Sequence, residues 1–160
     1  MSKVVLSILV NNTSGVLSRV AGLFARRGYN IDSVTVGETE DSRFSRMTVA
    51  VTGDDIVIDQ IKKQVNKLED VKSVKELAGG SSVYRELILV KIATTKGDLP
   101  VISALADTFR AKIDDMSDGS MILEMTGNQA KVDVLINRLK GYEIDIIELV
   151  RTGISGLARG

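Results

Sequence analysis

A polar cluster near the start of the sequence carries the side chains best suited to hold a small molecule. Residues 11–15 read Asn-Asn-Thr-Ser-Gly and directly precede an apolar segment with helical spacing. Free N–H groups at a helix N-terminus attract a carboxylate or phosphate. The side-chain amide of Asn12 can accept a hydrogen bond from an ammonium group and donate one to a carboxylate. The cluster therefore predicts a site for a free α-amino acid, with a simple turn, capped by Thr13 or Ser14 and relaxed by Gly15, as the alternative.

An internal repeat indicates which half of the chain would hold that site. The pattern that runs from Gly15 to Ile31-Asp32 returns 82 positions later, from Gly97 to Ile113-Asp114. The aligned pairs that differ in ligand-binding capacity are Asn12 with Thr94 and Asn30 with Lys112. Both amides are thus present only in the first copy, although the scaffold recurs. We therefore assign the predicted site to the first copy and include Asn30 in it.

Composition excludes several other functions. Lys plus Arg and Asp plus Glu each number 21, so no basic field is available for nucleic acid. The sequence contains neither His nor Cys, which removes the usual metal ligands, the thiol nucleophile and the commonest general base. No metal site and no catalytic residue are expected on this chain. Apolar runs are too short to cross a bilayer and no signal peptide is visible, so we expect a cytoplasmic protein without membrane contact.

Hydrophobic periodicity gives the order β-α-β-β-α-β in each copy. In the first copy, the predicted elements are a strand at 4–10, a helix from 16 to the αL cap at Gly28, strands at 31–36 and 44–51, a helix opening at Asp54 and a strand at 71–77. In the second, they are a strand at 86–93, a helix at 99–110, strands at 113–116 and 121–125, a helix at 130–139 and a strand at 144–150. This order is that of a ferredoxin-like unit, an antiparallel sheet with both helices on one face.

The fold class is therefore α+β, with two tandem ferredoxin-like units. The predicted domains are residues 1–77 and 83–160, separated by the small, flexible residues 78–82 as a linker. Residues 151–160 carry no clear pattern. Acidic residues at 114, 115 and 118 could bind a hard cation, but a solvated turn explains them better because no further carboxylates gather nearby.

The sequence resembles the regulatory, or small, subunit family of acetolactate synthase over essentially its whole length. The most specific motifs are Asn12-Thr-Ser-Gly-Val-Leu-Ser-Arg-Val20, Phe24-Ala-Arg-Arg-Gly-Tyr-Asn-Ile-Asp-Ser33 and Ser45-Arg-Met-Thr-Val49. The resemblance implies that the first unit is an ACT domain, which pairs edge to edge in a homodimer and holds valine at the junction. It assigns one wall of that site to Asn12, Gly15, Val16 and Leu17 of one chain and the other wall to Asn30 and Ile31 of its partner.

The same resemblance implies a function in branched-chain amino acid biosynthesis. Such a subunit has no activity of its own; it activates the catalytic large subunit, which is expected to carry thiamine diphosphate, Mg²⁺ and FAD, and makes it sensitive to feedback inhibition by valine-class amino acids. Two alternatives remain open from the sequence. One is a stand-alone ACT sensor of another enzyme or of transcription, and the other is a ferredoxin-like enzyme, for which no reactive constellation is visible.

Overall fold

The computed structural model describes all residues 1–160. The first ferredoxin-like unit contains β1 (Ser2–Asn11), α1 (Val16–Arg26), β2 (Ile31–Glu38), β3 (Phe44–Gly53), α2 (Asp55–Asn66) and β4 (Val71–Leu77). Its sheet is antiparallel, in the order β2-β3-β1-β4, so β2 and β4 are the edge strands. One face of the sheet packs on the helices, because alternate residues of β1 and β3 are apolar and meet the apolar stripes of α1 and α2.

The second unit repeats this architecture. A short 3₁₀ turn (Gly79–Ser81) leads into β5 (Ser82–Ala93), α3 (Leu99–Phe109), β6 (Lys112–Ser117), β7 (Ser120–Gly127), α4 (Gln129–Gly141) and β8 (Ile146–Arg151), and a short strand, β9 (Ser155–Ala158), follows. The sheet order β6-β7-β5-β8 matches that of the first unit. Its core is a separate apolar cluster between this sheet and α3 and α4. The fold class predicted from the sequence is confirmed.

The compact units differ from the predicted boundaries at two places. Ser82, predicted as linker, already belongs to β5. Residues 154–160, predicted as part of the second domain, group with residues 1–83, while residues 84–153 form the second unit. The physical reason is local bonding, since the Ile154 N–H donates to Ser33 Oγ (3.3 Å) and the Arg159 N–H donates to the Ser81 carbonyl (2.7 Å). Hydrophobic periodicity does not predict hydrogen bonds of this kind.

The ends of α1 are set by two glycines. Gly28 has φ 69° and follows the last helical turn, where its N–H donates to the Ala25 carbonyl and the next N–H, of Tyr29, reaches back to the Phe24 carbonyl. This pair of bonds is a Schellman motif, and it confirms the αL ending predicted at Gly28. At the other end Gly15 has φ 85°, as its position before the helix suggested.

The longest of the four helices, α4, has 13 residues. None of the helices combines the length and the apolar composition that crossing a membrane requires.

Candidate functional site

The loop between β1 and α1 begins the helix without a side-chain cap. Gly15 occupies the N-cap position, and neither Thr13 nor Ser14 caps the helix, so the predicted capping role is wrong. The first helical hydrogen bond runs from the Arg19 N–H to the Gly15 carbonyl (3.0 Å). The N–H groups of the first turn precede this bond and have no partner within the helix. No acidic residue lies in that turn, so these donors and the positive end of the helix dipole face outward.

Asn12 is fixed by the hairpin loop between β2 and β3. Its backbone N–H donates to the Arg43 carbonyl (2.7 Å), and its side-chain Nδ2 donates to the Ser42 carbonyl (2.9 Å). Ser45 Oγ donates to Asn12 Oδ1 (3.0 Å). The amide therefore has a set orientation, and it keeps one N–H and one lone pair of Oδ1 for another partner.

The hairpin loop that holds Asn12 is itself stabilised by an ion pair. Asp41 accepts three bonds from the Arg43 side chain, from Nε to both carboxylate oxygens (3.0 and 3.2 Å) and from Nη2 to Oδ2 (2.6 Å), and a fourth from the Arg43 N–H (3.1 Å). These bonds, the side-chain ones first, lower the pKa of Asp41 from 3.8 to about 2. Thr39 Oγ1 closes the same turn through the Asp41 carbonyl (2.8 Å). The loop is thus held in shape by its own hydrogen bonds.

The second copy lacks this arrangement although its backbone follows the same course. The Thr94 N–H donates to the Gly119 carbonyl (3.0 Å), as the N–H of Asn12 does to Arg43 in the first copy. The copies are offset by 82 residues before the hairpin and by 74 after it, so the hairpin is where eight residues are missing. The loop that holds the Asn12 amide accounts for three of them, because five residues, 39–43, join β2 to β3 but only two, 118 and 119, join β6 to β7.

The loop before α3 also contains its own carboxylate. Asp98 Oδ2 accepts bonds from the backbone N–H and from Oγ1 of Thr95, both at 3.0 Å. Gly97, the counterpart of Gly15, does not adopt a positive φ. The second loop therefore contains a carboxylate of the chain itself, whereas the first loop, residues 12–15, contains none.

The residues predicted for the site differ in what they expose. Leu17 is 49% exposed, but Val16 is only 4% exposed and packs in the core, so Val16 could contact a ligand through its backbone alone. Asn30 is exposed, and its amide makes no hydrogen bond within the chain. Ile31 opens β2 and packs partly against the core.

Within one chain the two predicted walls lie at opposite ends of the sheet. Ile31 and Val4 both pair with Val51, so the start of β2 is level with the start of β1. Asn11, at the end of β1, is seven residues further along that strand, which corresponds to about 24 Å at ~3.4 Å per residue. A site that contains both walls therefore requires two chains.

The sequence predicted no role for Arg19. In the structure its Nε donates to Asp70 Oδ2, and its Nη2 lies 3.4 Å from the Ser14 carbonyl. Its Nη1 lies 2.8 Å from the position that a Cβ atom on Gly15 would take. Arg19 therefore folds back over the loop. The signal that could have identified it is a cation at the start of a helix, where the helix dipole disfavours positive charge.

Comparison with known families assigns the chain. Residues 6–73 match a family model described as an acetohydroxyacid synthase small subunit-like ACT domain, and residues 85–160 match one described as the small subunit of acetolactate synthase. The chain belongs to the acetolactate synthase small-subunit family. The first unit is accordingly an ACT domain, and the family members are non-catalytic, regulatory subunits whose partner, the large subunit, carries the catalytic activity.

Individual acetolactate synthase small subunits support this assignment along the whole chain. A probable small subunit from Archaeoglobus fulgidus is 46% identical over 155 residues, which cover 97% of this chain and 96% of the relative. The isozyme 3 small subunit of Escherichia coli is 41% identical over 156 residues, or 98% and 95% of the two chains. The crystal structure of the small subunit from Thermotoga maritima superposes with a TM-score of 0.91 at 41% identity, covering 100% of this chain and 99% of the other.

Proposed function

We propose that this chain senses a valine-class amino acid, bound between the ACT domains of two copies, and passes that signal to the catalytic subunit of acetolactate synthase. In its effector-free state the chain activates the catalytic subunit, and with effector bound it inhibits it. The predicted cytoplasmic localisation remains a prediction.

The observation that carries the proposal is the division of the site. Asn12 and Gly15 lie at one end of the sheet, and Asn30 and Ile31 lie at the other. A two-fold dimer joins like surfaces, so pairing through the edge strand β2 runs antiparallel. The start of the partner's β2 then lies beside the end of this β2, which is the end of the sheet that carries the β1–α1 loop. The two half-sites are complementary under that symmetry.

The edge strand itself supports pairing through β2. Val34 is 40% exposed and Val36 is 46% exposed, although both lie on the apolar face of the sheet, opposite Val49 and Met47. A second copy would cover them. Free backbone groups along an edge strand supply the hydrogen bonds for such an addition.

The regulatory effect follows from linkage. An effector shared by two chains binds one dimer arrangement better than another, and it shifts the equilibrium by that difference in affinity. A catalytic subunit attached to the dimer experiences the same shift. The location of the site between chains thus gives a small ligand control over quaternary structure.

The test compares Asn30→Ala with Lys112→Ala, its counterpart in the second unit. Because the Asn30 amide has no bond within the chain, its loss leaves the fold intact and removes a contact to the effector. Losing one partner of a buried hydrogen bond costs about 1–3 kcal/mol, so we expect valine affinity to fall roughly 5- to 150-fold for Asn30→Ala. Calorimetry with valine, and the acetolactate formed after addition of the large subunit, measure this.

Lys112→Ala should bind valine as the unaltered chain does. Equal losses in both variants, or acetolactate synthesis by this chain without the large subunit, would contradict the proposed function.

A further inference from the structure

The Arg19 guanidinium is only partly used by its contacts within the chain. Its Nε is paired with Asp70, and its Nη2 makes one long contact with the Ser14 carbonyl. Its Nη1 has no hydrogen-bond partner and lies 2.8 Å from the position that a Cβ atom on Gly15 would take. A guanidinium offers five N–H donors, so several remain for a ligand.

Asp70 holds this guanidinium in place through its Nε. The Asn11 N–H donates to the Asp70 carbonyl (2.9 Å), which ties the residue to the end of β1. The Asp70 side chain is 21% exposed, against 51% for Arg19, so the carboxylate is the better shielded partner. The fork of Arg19 is therefore positioned rather than free to rotate.

The local charge is unbalanced. The positive end of the α1 dipole, the unpaired N–H groups of the first turn and the Arg19 cation converge on the same space beside Gly15, and Asp70 compensates only one edge of the guanidinium. In the second unit, Asp98 places a carboxylate in the corresponding loop. The first loop is thus arranged for a carboxylate that comes from outside the chain.

We propose that Arg19 recognises the carboxylate of the amino-acid effector, with Asp70 as the residue that positions it. The inference rests on the proposed function, because it names a group of the same site. A guanidinium matches a carboxylate with two parallel N–H bonds, and the charge of the pair makes those bonds stronger than neutral ones. Gly15 lets the effector approach that fork because it has no side chain.

The test measures valine and valinamide side by side, on the full chain. Valinamide keeps the ammonium group and the isopropyl side chain but lacks the carboxylate charge. For Arg19→Gln we expect the affinity for valine to fall about 10- to 100-fold, the usual loss for a hydrogen bond to a charged group, while the affinity for valinamide changes less than about twofold. Arg26→Gln, an exposed residue on the same helix, is the matched control and should leave both affinities unchanged.

Arg19→Lys keeps the ion pair with Asp70 but loses the fork, so it should fall between the unaltered chain and Arg19→Gln in its preference for valine over valinamide. It also tests the inference if the glutamine variant does not fold. If Arg19→Gln lost the same affinity for valine and valinamide, or lost none, the role of Arg19 would be overturned and the proposed function would stand. If the unaltered chain binds no valine-class amino acid, the proposed function fails first.

Discussion

At the scale of single residues, Gly15 combines two requirements that no other residue meets. Its φ of 85° belongs to the left-handed region, and a Cβ there would lie 2.8 Å from Nη1 of Arg19. The sequence predicted the first requirement from the position of the glycine before a helix. The second could not be predicted, because it depends on a side chain that folds back from four residues along the helix.

Gly15→Asp should therefore abolish feedback by valine. The substitution adds ~1 kcal/mol of backbone strain, and its carboxylate would pair with Arg19 in place of the effector. Together with the lost charged hydrogen bonds, we expect valine affinity to fall about a hundredfold or more. Acetolactate formation by the reconstituted enzyme, titrated with valine, measures the change.

Gly97→Asp is the matched control, since a Cβ at that position meets only Thr95 Oγ1, at 3.8 Å. It should remain sensitive to valine. By hypothesis the large subunit is contacted elsewhere, so Gly15→Asp should still activate it. A folded, dimeric Gly15→Asp variant that fails to activate would mean that the loop contacts the large subunit.

The Asp41 carboxyl provides a pH-dependent probe of the loop that holds Asn12. Its folded-state pKa is about 2, below the ordinary value of 3.8, chiefly because of the side-chain bonds from Arg43. The interaction therefore stabilises the native chain above about pH 3.8 and is lost as the pH falls through about 2. Arg43→Gln should raise the pKa of Asp41, as followed by carbon NMR of the carboxyl group. Asp59, whose pKa is lowered by Lys63, should not respond.

At the scale of elements, the two edge strands β2 and β6 occupy equivalent places in their units. Val34 of β2 corresponds to Met116 of β6 by the repeat offset of 82, and both are exposed. If the dimer forms through β2, Val34→Lys brings like charges together across the two-fold axis, which costs several kcal/mol. Sedimentation should then show a dimer dissociation constant at least about tenfold larger than that of the unaltered dimer.

Met116→Lys should leave the dimer intact. Dissociation caused by Met116→Lys, with Val34→Lys still dimeric, would assign the interface to the second unit and would contradict the shared site.

Much of the architecture could be predicted at this scale because it rests on periodicity. The sequence predicted a helix that opens at Asp54, and Asp54 is the N-cap residue of α2, where it accepts a bond from the Val57 N–H (2.9 Å). The copies also revealed that only the first carries Asn12 and Asn30. The bonds that fix Asn12 could not be foreseen, because they join it to Ser42 and Ser45, which lie 30 and 33 positions further along the chain. Local patterns carry no record of such pairings.

At the scale of the whole molecule, an ion pair with a buried carboxylate stabilises the second unit. Arg151 donates through Nε to Glu86 Oε1 (2.7 Å) and through Nη2 to Oε2 (2.9 Å), and its Nη1 lies 3.2 Å from Asp133 Oδ1. Glu86 is only 4% exposed, and its bonds are the main reason that the pKa of Arg151 is raised. No sequence pattern indicated this pair, which joins residues 65 positions apart.

Arg151→Met should lower the free energy of unfolding by about 3 kcal/mol, because it leaves a buried carboxylate without its partner. Denaturant titration measures the loss. Lys63→Met, which breaks an exposed ion pair with Asp59, should leave stability nearly unchanged. A small effect of Arg151→Met, comparable to that of Lys63→Met, would show that Glu86 finds water or another donor.

Segment 154–160 gives the chain an order of assembly. Because this segment bonds Ser33 and Ser81 and belongs to the first unit, residues 84–153 are in effect inserted into that unit. A ribosome makes the inserted residues before it makes the segment, so the first unit to be started is the last to be completed. Ser33 lies two residues after Ile31 on β2. The strand proposed to sense the effector therefore gains its final contact only after the second unit has been synthesised, and a chain interrupted within that unit carries an unfinished sensor.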